Sequence, residues 1–179
     1  RDDAAGECFD KAARAMGMPY PGGIHLDRLA ASGDPNAYRL PRPRVEGSEL
    51  DFSFSGLKTA VINLLHHAEQ KGDKVDIPGL AASFQHTVVD ILCDHTLLAA
   101  ERAGAETLVL AGGVSANSGL RREMQARCAA RDLRLFYPPL ELCGDNAAMV
   151  AAQGYYEYRA GHSAGMDLNA CATMSIEGG

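Results

Sequence analysis

The feature that most constrains the fold is a strand, glycine, helix, strand unit in the second half of the chain. Residues 107–111 form a continuous apolar run, as expected for a strand buried on both faces of a parallel sheet. Two glycines follow the run, a helical pattern covers residues 117–130, and residues 133–136 predict a second strand. Strands joined by a helix pair in parallel through a right-handed crossover. This unit therefore predicts an α/β protein.

The rest of the chain is predicted to be mostly helical. Apolar residues at i, i+3 and i+4 spacing predict further helices over residues 3–18, 24–32, 57–70, 77–103 and 144–160. The fourth of these contains two candidate break points, Gly79 and Ser83. Alternating apolar and polar residues predict a strand over residues 50–54, and the proline-containing residues 33–47 predict a loop. Residues 161–179 lose all periodicity and predict an irregular tail.

Composition places the chain among ordinary globular proteins and limits its partners. Hydrophobic residues make up 46% of the chain, which is enough for a core. The net charge of -6 means that a nucleic-acid partner needs a local basic patch. The five cysteines form no CxxC pair and favour a reduced cytosol over a disulfide framework or a cysteine-rich zinc site. No apolar stretch approaches the roughly 20 residues of a membrane span and no signal-peptide pattern opens the chain, so we expect a cytoplasmic protein without a membrane partner.

The glycines after the first strand are a candidate binding site. Open parallel sheets bind ligands at the carboxyl ends of their strands, and the backbone at Gly112 and Gly113 can lie against a flat ring or a phosphate. Ser115 or Asn117 can cap the next helix, whose N-terminus favours polar or anionic groups. A tight strand-to-helix turn without a ligand is the alternative, and the glycines alone do not decide between the two.

Three carboxylates share one face of the first predicted helix. Asp3, Glu7 and Asp10 are four and three residues apart, so they lie on the same side of the helix. Like charges in this arrangement reduce stability unless a cation or a hydroxyl-rich ligand lies beside them, although Lys11 and Arg14 can relieve the repulsion. The alternative is an ordinary solvated acidic first turn, which the helix dipole favours.

Asp145 lies immediately before the last predicted helix, with Asn146 next to it. An aspartate in this place usually caps the helix, and it can also be a metal ligand at the mouth of a sheet. Both roles stay open on the residues alone. Residues 52–59 bring Ser-Gly close to Lys-Thr but lack the GxxxxGK[ST] spacing of a phosphate loop.

Four segments, taken together and in this order, resemble one enzyme family. They are RDDAAGECFDKAARAMGMPYPGG (1–23), DFSFSGLKT (51–59), LVLAGGVSANSGLR (108–121) and CGDNAAMVA (143–151). The family is that of the tRNA threonylcarbamoyladenosine transferases, long labelled O-sialoglycoprotein endopeptidases. The resemblance covers residues 1–160 and implies the C-terminal lobe of an actin-like (ribonuclease H-like) ATPase fold, with a parallel or mixed sheet flanked by helices. This fold has two similar lobes around a nucleotide cleft, and residues 1–60 and 70–160 are expected to lie around that cleft. The start on Arg1 without an initiator methionine fits a portion of a longer gene product.

The resemblance implies roles for several residues of this chain. Asp10, helped by Glu7, is implied to bind the ribose hydroxyls, and Gly23 is implied to border the nucleoside. Gly112, Gly113 and Asn117 are implied to line the adenosine, and Asp145 is implied to be a metal ligand. These enzymes move the threonylcarbamoyl group from threonylcarbamoyl-adenylate to the N6 amine of the adenosine beside the tRNA anticodon, and AMP leaves. This lobe is expected to grip the adenosine part of the donor, and no catalytic residue is assigned within it.

The family also implies a metal and several partners. One iron or zinc ion per full-length enzyme is expected to polarise the acyl-phosphate end of the donor, held by Asp145 and two histidines of an HxxxH motif. This chain has no HxxxH motif and no Ser-Gly-Gly-His-Thr loop, so Asp145 is one of three protein ligands and we expect no transition metal in this chain alone. The implied partners are tRNA, threonylcarbamoyl-adenylate, a paralogous protein of the same fold and a small ATPase.

Clustered arginines predict a candidate tRNA surface. Arg39, Arg42 and Arg44 lie in the proline-containing loop, and others crowd the helix after the glycines and its exit: Arg121, Arg122, Arg127, Arg131 and Arg134. A basic patch of this kind can bind phosphates although the whole molecule is acidic. The alternative is a solvated helix face.

Three other functions stay open. Another branch of the superfamily, such as a sugar kinase, shares the glycines after the strand but is not expected to share FSFSGLKT or GDNAAM. A metalloprotease, which the old family label suggests, requires a motif such as HExxH that this chain lacks. An isolated lobe that binds a nucleotide or a partner and catalyses nothing is the third.

Overall fold

The computed structural model describes residues 2–170, 172 and 173 of the 179-residue chain. The chain divides into two compact units, residues 1–144 and residues 145–179, and each is described by itself. The predicted tail, residues 161–179, lies partly outside the described residues, and its described part contains no helix or strand. None of the helices in the described ranges has the length and apolarity needed to cross a membrane.

Six α-helices account for most of the described chain, and each matches a helix predicted from apolar spacing. They are α1 (Ala5–Ala15), α2 (Gly22–Ala30), α3 (Ser55–Lys71), α4 (Ile77–Ala103), α5 (Ser118–Ala129) and α6 (Ala147–Arg159). Two short 3-10 turns, Gly113–Ala116 and Leu140–Leu142, were not expected from the spacing. Helices α3 and α4 end on Gly72 and Gly104, whose φ values of 72° and 60° form the left-handed cap that stops a helix.

Helix α4 runs without interruption, so the two candidate break points at Gly79 and Ser83 are wrong. A Cβ atom on Gly79 would lie 2.8 Å from the Cβ of Ala37 in the preceding loop, so glycine allows a close approach there. Ser83 Oγ accepts a hydrogen bond from Tyr38 N at 3.0 Å and donates one to Asp34 O at 3.4 Å. Both residues therefore anchor the loop to α4.

The strands β1 (Thr107–Val109) and β2 (Arg134–Phe136) pair in parallel, which confirms the predicted pairing across α5. The expectation that the first strand is buried on both faces is wrong. Val109 is 70% exposed and Phe136 is 57% exposed. Within residues 2–144, helices α4 and α5 cover only the face that carries Leu108 and Leu135.

Residues 50–54 do not form the predicted strand. A strand needs a neighbouring strand for its backbone groups, whereas here Phe54 N donates a hydrogen bond to Asp2 Oδ1 at 2.8 Å. The rings of Phe52 and Phe54 stack with their centroids 6.0 Å apart, and Phe54 is buried in the core. The alternating pattern therefore marks a segment tied to the residues before α1 rather than a paired strand.

Helix α4 is the element around which two apolar cores form. Its N-terminal half packs with α1, α2 and α3, where the rings of Phe9 and Phe84 meet edge to face at 5.5 Å. Its C-terminal half packs with α5 and the sheet through residues such as Cys93, Leu120 and Met124. Burial of each large apolar side chain stabilises the fold by roughly 1.5–3 kcal/mol. The arrangement brings α2 and the start of α5 to the same helix.

Candidate functional site

One cavity in the first unit contains most of the residues that the resemblance assigns to a nucleoside. Its volume is about 600 Å³, which is within the usual range for small-molecule sites. Four of the predicted residues line it: Asp10, Gly23, Gly113 and Asn117. The wall also includes apolar side chains: Phe9, Ile24, Val114 and Leu140. The cavity therefore joins α1, α2 and the turn before α5.

The carboxylate of Asp10 is held by the start of α2. Gly23 N donates a hydrogen bond to Asp10 Oδ1 at 3.0 Å, which satisfies one of the free N–H groups of the first helical turn. Within the described residues no other hydrogen bond reaches Asp10, so its second oxygen can accept one from a ligand. Helix α2 approaches this closely because residue 22 is glycine: a Cβ atom on Gly22 would lie 2.5 Å from the Cβ of Ala13.

Of the two candidate caps, Ser115 and Asn117, it is Asn117 that caps α5, and its amide also makes a hydrogen bond to α4. Its Oδ1 accepts a hydrogen bond from Leu120 N at 2.8 Å, and its Nδ2 donates one to Gln85 Oε1 at 2.9 Å. Beside it, Asp27 accepts hydrogen bonds from Ser118 N at 3.1 Å and Ser118 Oγ at 2.8 Å. The start of α5 is thus tied to both α4 and α2, and this part of the cavity wall is preorganised.

The two glycines after β1 serve different purposes. Gly112 has a φ of 83°, a left-handed conformation that favours glycine, and it forms the turn without belonging to the cavity wall. Gly113 lines the cavity, and a Cβ atom on it would meet no atom within 4 Å. The structure therefore brings Gly113 to the site and uses Gly112 to direct the backbone there.

Glu7 lies outside the cavity wall. Lys11 Nζ lies 2.7 Å from both Asp3 Oδ1 and Glu7 Oε1. Hydrogen bonds to Asp3 and then to Glu7 raise the pKa of Lys11 above its usual value. The predicted acidic face therefore separates into an ion-paired group around Lys11 and a single carboxylate, Asp10, at the cavity.

Asp145 belongs to the second unit and does not cap α6. The cap is Asn146, whose Oδ1 accepts a hydrogen bond from Met149 N at 3.0 Å, so the cap interpretation of Asp145 is wrong. Its role as a metal ligand stays a prediction. Among the described residues, no group of three or more His, Cys, Asp or Glu side chains could hold a metal ion. Transition-metal sites use three or more protein ligands, so these residues do not fit the family's metal site by themselves.

Two of the buried thiols, those of Cys8 and Cys93, are unsuited to act as nucleophiles. Cys8 and Cys93 are fully buried in the two cores. Burial raises the pKa of each thiol to about 12, and the thiol rather than the reactive thiolate is present at neutral pH. These cysteines therefore act as small apolar side chains, and the chemistry open to the site is binding through Asp10 and its neighbours.

Two charged residues of the cavity wall, Asp27 and Arg28, were missed by the sequence analysis. Asp27 lies four residues after Gly23 on α2, so the two share one helix face. That spacing could have identified Asp27 once Gly23 was assigned to the site. No comparable signal marks Arg28, which is exposed and forms no ion pair within the described part of the chain.

Most arginines of the predicted tRNA surface have partners inside this chain. Arg127 forms ion pairs with Asp90, Asp94 and Glu123, and Arg42 pairs with Asp94. Arg121 donates hydrogen bonds to the carbonyls of Ser115 and Pro138. Arg131 donates one to the carbonyl of Arg127, and Arg134 pairs with Glu106. This cluster is therefore largely a network that joins the loop, α4 and α5, which weakens the case for a tRNA surface there.

Comparison with protein families and curated proteins gives a consistent result. A family model described as TsaD, tRNA N6-adenosine threonylcarbamoyltransferase, matches residues 1–152. Proteins of that name from Moorella thermoacetica and Geobacillus kaustophilus are 54% and 52% identical to this chain over 176 and 177 residues. Each alignment covers 98% of this chain and 52% of the relative. The chain therefore spans about half the length of the curated relatives it matches.

Comparison with solved structures supports the fold. A crystal structure described as full-length HypF in the phosphate- and nucleotide-bound form matches with a TM-score of 0.53 and 18% identity. The match covers 74% of this chain and 17% of that chain. At this identity the likeness shows the fold alone. With the family match it confirms the predicted class, a helix-rich α/β lobe of the actin-like ATPase type.

Proposed function

The chain belongs to the tRNA N6-adenosine threonylcarbamoyltransferase family, and on that basis we propose that its cavity binds the adenosine part of an adenylate donor. The donor is threonylcarbamoyl-adenylate, and the full-length enzyme passes its threonylcarbamoyl group to the N6 amine of the adenosine beside the tRNA anticodon. The observation behind this proposal is that Asp10, Gly23, Gly113 and Asn117 line one cavity although they come from separate segments.

Each part of the cavity wall suits a different part of an adenosine. A carboxylate oxygen only accepts hydrogen bonds, so the second oxygen of Asp10 suits a ribose hydroxyl. The apolar side chains of Phe9 and Ile24 and the open backbone at Gly113 suit the faces of a purine. Asn117 keeps one amide hydrogen and one oxygen lone pair beyond its two internal hydrogen bonds, which suits the polar edge of a base. A few polar groups in a mostly apolar wall are typical of nucleotide and cofactor sites.

In the proposed reaction the N6 nitrogen attacks the carbonyl carbon of the threonylcarbamoyl group. A new C–N bond replaces the bond from that carbon to the phosphate oxygen, AMP leaves with the bonding electrons, and the nitrogen loses a proton. Binding the ribose and base at α1, α2 and the start of α5 fixes the orientation of the donor and lowers the entropic part of the barrier. The contribution proposed for this chain is therefore positioning.

The proposal extends to partners and location. The full-length enzyme is proposed to act on tRNA in the cytoplasm, together with a paralogous protein of the same fold and a small ATPase. Within the predicted tRNA surface, the arginines without an internal partner in the described chain are the candidates for tRNA contact: Arg39, Arg44 and Arg122. An iron or zinc ion is proposed for the full-length enzyme, with Asp145 as one of its ligands.

An isolated nucleotide-binding lobe without catalysis is the second candidate. The described residues contain no group of side chains that fits a transition-metal site, and the chain spans about half of its relatives. Such a lobe binds AMP and modifies no tRNA. The two candidates therefore share the cavity and differ in activity.

Isothermal titration of AMP into the full-length protein and its variants tests the cavity. Asp10→Ala and Asn117→Ala are expected to raise the Kd about tenfold or more, because each removes a hydrogen bond worth about 1.5 kcal/mol. Arg14→Ala is the control, since this exposed side chain also lies on α1 but outside the cavity wall, and it is expected to bind like the wild type. Unchanged affinity in both cavity variants would show that the proposed site is wrong.

Activity needs a separate measurement. Hydrolysed tRNA from a strain depleted of the full-length protein is expected to lack threonylcarbamoyladenosine by mass spectrometry, and the wild-type gene is expected to restore it. Persistence of the modified nucleoside after depletion rejects the transferase assignment. AMP binding by the 179-residue chain without restoration of the nucleoside identifies the second candidate.

A further inference from the structure

Gln85 is a polar side chain in the most buried stretch of α4. It is 8% exposed, and its neighbours Phe84 and Val88 are completely buried. A buried amide costs more free energy than an apolar side chain of similar size unless its hydrogen bonds are made. Packing alone therefore gives no reason for a glutamine at this position, and its role must lie in the contact that it makes.

That contact is with the cavity wall. Gln85 Oε1 accepts a hydrogen bond from Asn117 Nδ2 at 2.9 Å, while Asn117 Oδ1 accepts one from Leu120 N at 2.8 Å. Together these bonds fix which end of the Asn117 amide is nitrogen, because the helix cap requires an acceptor and Gln85 Oε1 requires a donor. Asn117 also lines the cavity, where one amide hydrogen remains for a ligand.

The first turn of α5 packs directly against this pair of amides. A Cβ atom on Gly119 would lie 2.7 Å from Gln85 Nε2 and 3.3 Å from Asn117 Oδ1, so a larger residue there would displace the Gln85 side chain. Asp27 holds the same turn from α2 through its two hydrogen bonds with Ser118. The start of α5 is therefore held by α4 through the Gln85–Asn117 bond and by α2 through Asp27.

We propose that Gln85 is a positioning residue for the nucleoside site. It acts through Asn117, holding the amide so that the remaining hydrogen meets a hydrogen-bond acceptor on the bound base. This inference rests on the proposed function, because it requires a nucleoside in the cavity. The Asn117 cap does not depend on Gln85, since it uses the other end of the amide. Loss of Gln85 therefore weakens binding while α5 stays folded.

The test compares Gln85→Met and Gln85→Glu by isothermal titration of AMP into the full-length protein. Methionine fills a similar volume without an acceptor, whereas glutamate keeps an Oε acceptor for Asn117 Nδ2. The Kd is expected to rise about five- to tenfold for methionine, as for one lost hydrogen bond, and to return to within about threefold of the wild type for glutamate. Thr87→Val is the control on the same helix, because Thr87 Oγ1 bonds to Ser83 O within α4, and its Kd is expected to match the wild type.

A double variant shows whether Gln85 acts through Asn117. Asn117→Asp keeps an oxygen for the helix cap and removes the amide hydrogens. Adding Gln85→Met to Asn117→Asp is expected to change the Kd less than about twofold. A wild-type Kd for Gln85→Met, or a full effect of Gln85→Met in the Asn117→Asp background, overturns the positioning role while AMP binding by the wild type stands. A wild-type protein that does not bind AMP overturns the proposed function and this inference together.

Discussion

At the scale of single residues, Asp2 shows how one side chain takes the place of a strand partner. Its carboxylate accepts hydrogen bonds from Ser53 Oγ at 2.6 Å, Phe54 N at 2.8 Å and Ser55 Oγ at 2.8 Å. These bonds, with that from Ser53 the strongest influence, hold the pKa of Asp2 well below its usual value. The residues before α1 are thereby tied to the residues before α3.

Protonation of Asp2 is expected to weaken that link. A carboxyl group with a lowered pKa in the folded state stabilises the fold fully above its unfolded pKa of about 3.8, and the contribution is lost progressively as the pH falls from that value through the lower folded-state pKa. Asp2→Asn is expected to lower the free energy of unfolding by on the order of 0.5–1 kcal/mol at neutral pH, a small value because Asp2 is exposed. Urea unfolding of both proteins at pH 6 and pH 2 measures it, because the contribution is mostly lost only at the lower pH. A difference in the free energy of unfolding that is the same at both pH values would contradict the assignment.

Gly113 separates binding from stability. A methyl group at this position meets no atom within 4 Å of its Cβ, so Gly113→Ala is expected to change the free energy of unfolding by less than about 0.5 kcal/mol. The methyl group extends into the cavity where the base is proposed to lie, so the Kd for AMP is expected to rise about tenfold. Gly144→Ala, which is also open but lies outside the cavity wall, is the control. Equal AMP affinities of the two variants would mean that the base lies elsewhere.

The sequence directed attention to Asp10, Gly23 and Asn117 because they belong to local motifs. It did not identify Asp27 or Gln85. The place of Asp27 depends on contact between α2 and α5, and that of Gln85 on contact between α4 and α5. Contacts between helices far apart in sequence leave no periodic signal in one chain. The spacing from Gly23 could have pointed to Asp27, whereas Gln85 becomes visible only in three dimensions.

At the scale of helices and strands, the sequence predicted the six helices and the two paired strands, and its errors concern residues 50–54 and the burial of β1. A helix makes its hydrogen bonds within its own segment, so a local pattern is enough to indicate it. A strand makes them with a neighbour, and residues 50–54 alternate like a strand without having one. The same reason explains β1, whose apolar run suggested burial on both faces although Val109 is 70% exposed.

The contact between α4 and α5 is expected to depend on Arg127. Burial is the largest single influence on the pKa of Arg127 and lowers it. Hydrogen bonds with Glu123 and Asp90 act in the opposite direction, and the net result is a pKa above the usual value, so the side chain stays charged. Arg127→Ala takes a cation away from these partly buried carboxylates, of which Asp90 keeps the more distant Arg42 at 3.9 Å, so the free energy of unfolding is expected to fall by about 2 kcal/mol. Arg134→Ala, which removes an exposed pair with Glu106, is expected to change it by less than about 0.5 kcal/mol. Similar losses in urea unfolding for both variants would show that this network does not join the helices.

At the scale of the whole molecule, the first unit contains the cavity wall and the buried residues of both apolar cores. The buried residues of both apolar cores lie between Cys8 and Cys128, and the cavity wall lies between Gly6 and Leu140. Helix α6, in the second unit, has no buried residue. The cavity proposed to bind the nucleoside and the proposed metal ligand Asp145 therefore belong to different units of the chain. A single truncation can separate them.

A stop codon after Gly144 in the full-length gene makes that separation. The truncated protein is expected to unfold cooperatively and to bind AMP within about threefold of the wild type, because both cores and the cavity wall remain. It is expected not to restore threonylcarbamoyladenosine in the depleted strain, because it lacks Asp145. A stop after Ala116 is the matched control, since it removes the Asn117 cap and half of the second core, and it is expected to abolish AMP binding. Restoration of the nucleoside by the protein ending at Gly144 would exclude Asp145 from the reaction. Loss of AMP binding by the same truncated protein would show that the first unit is not sufficient for the site.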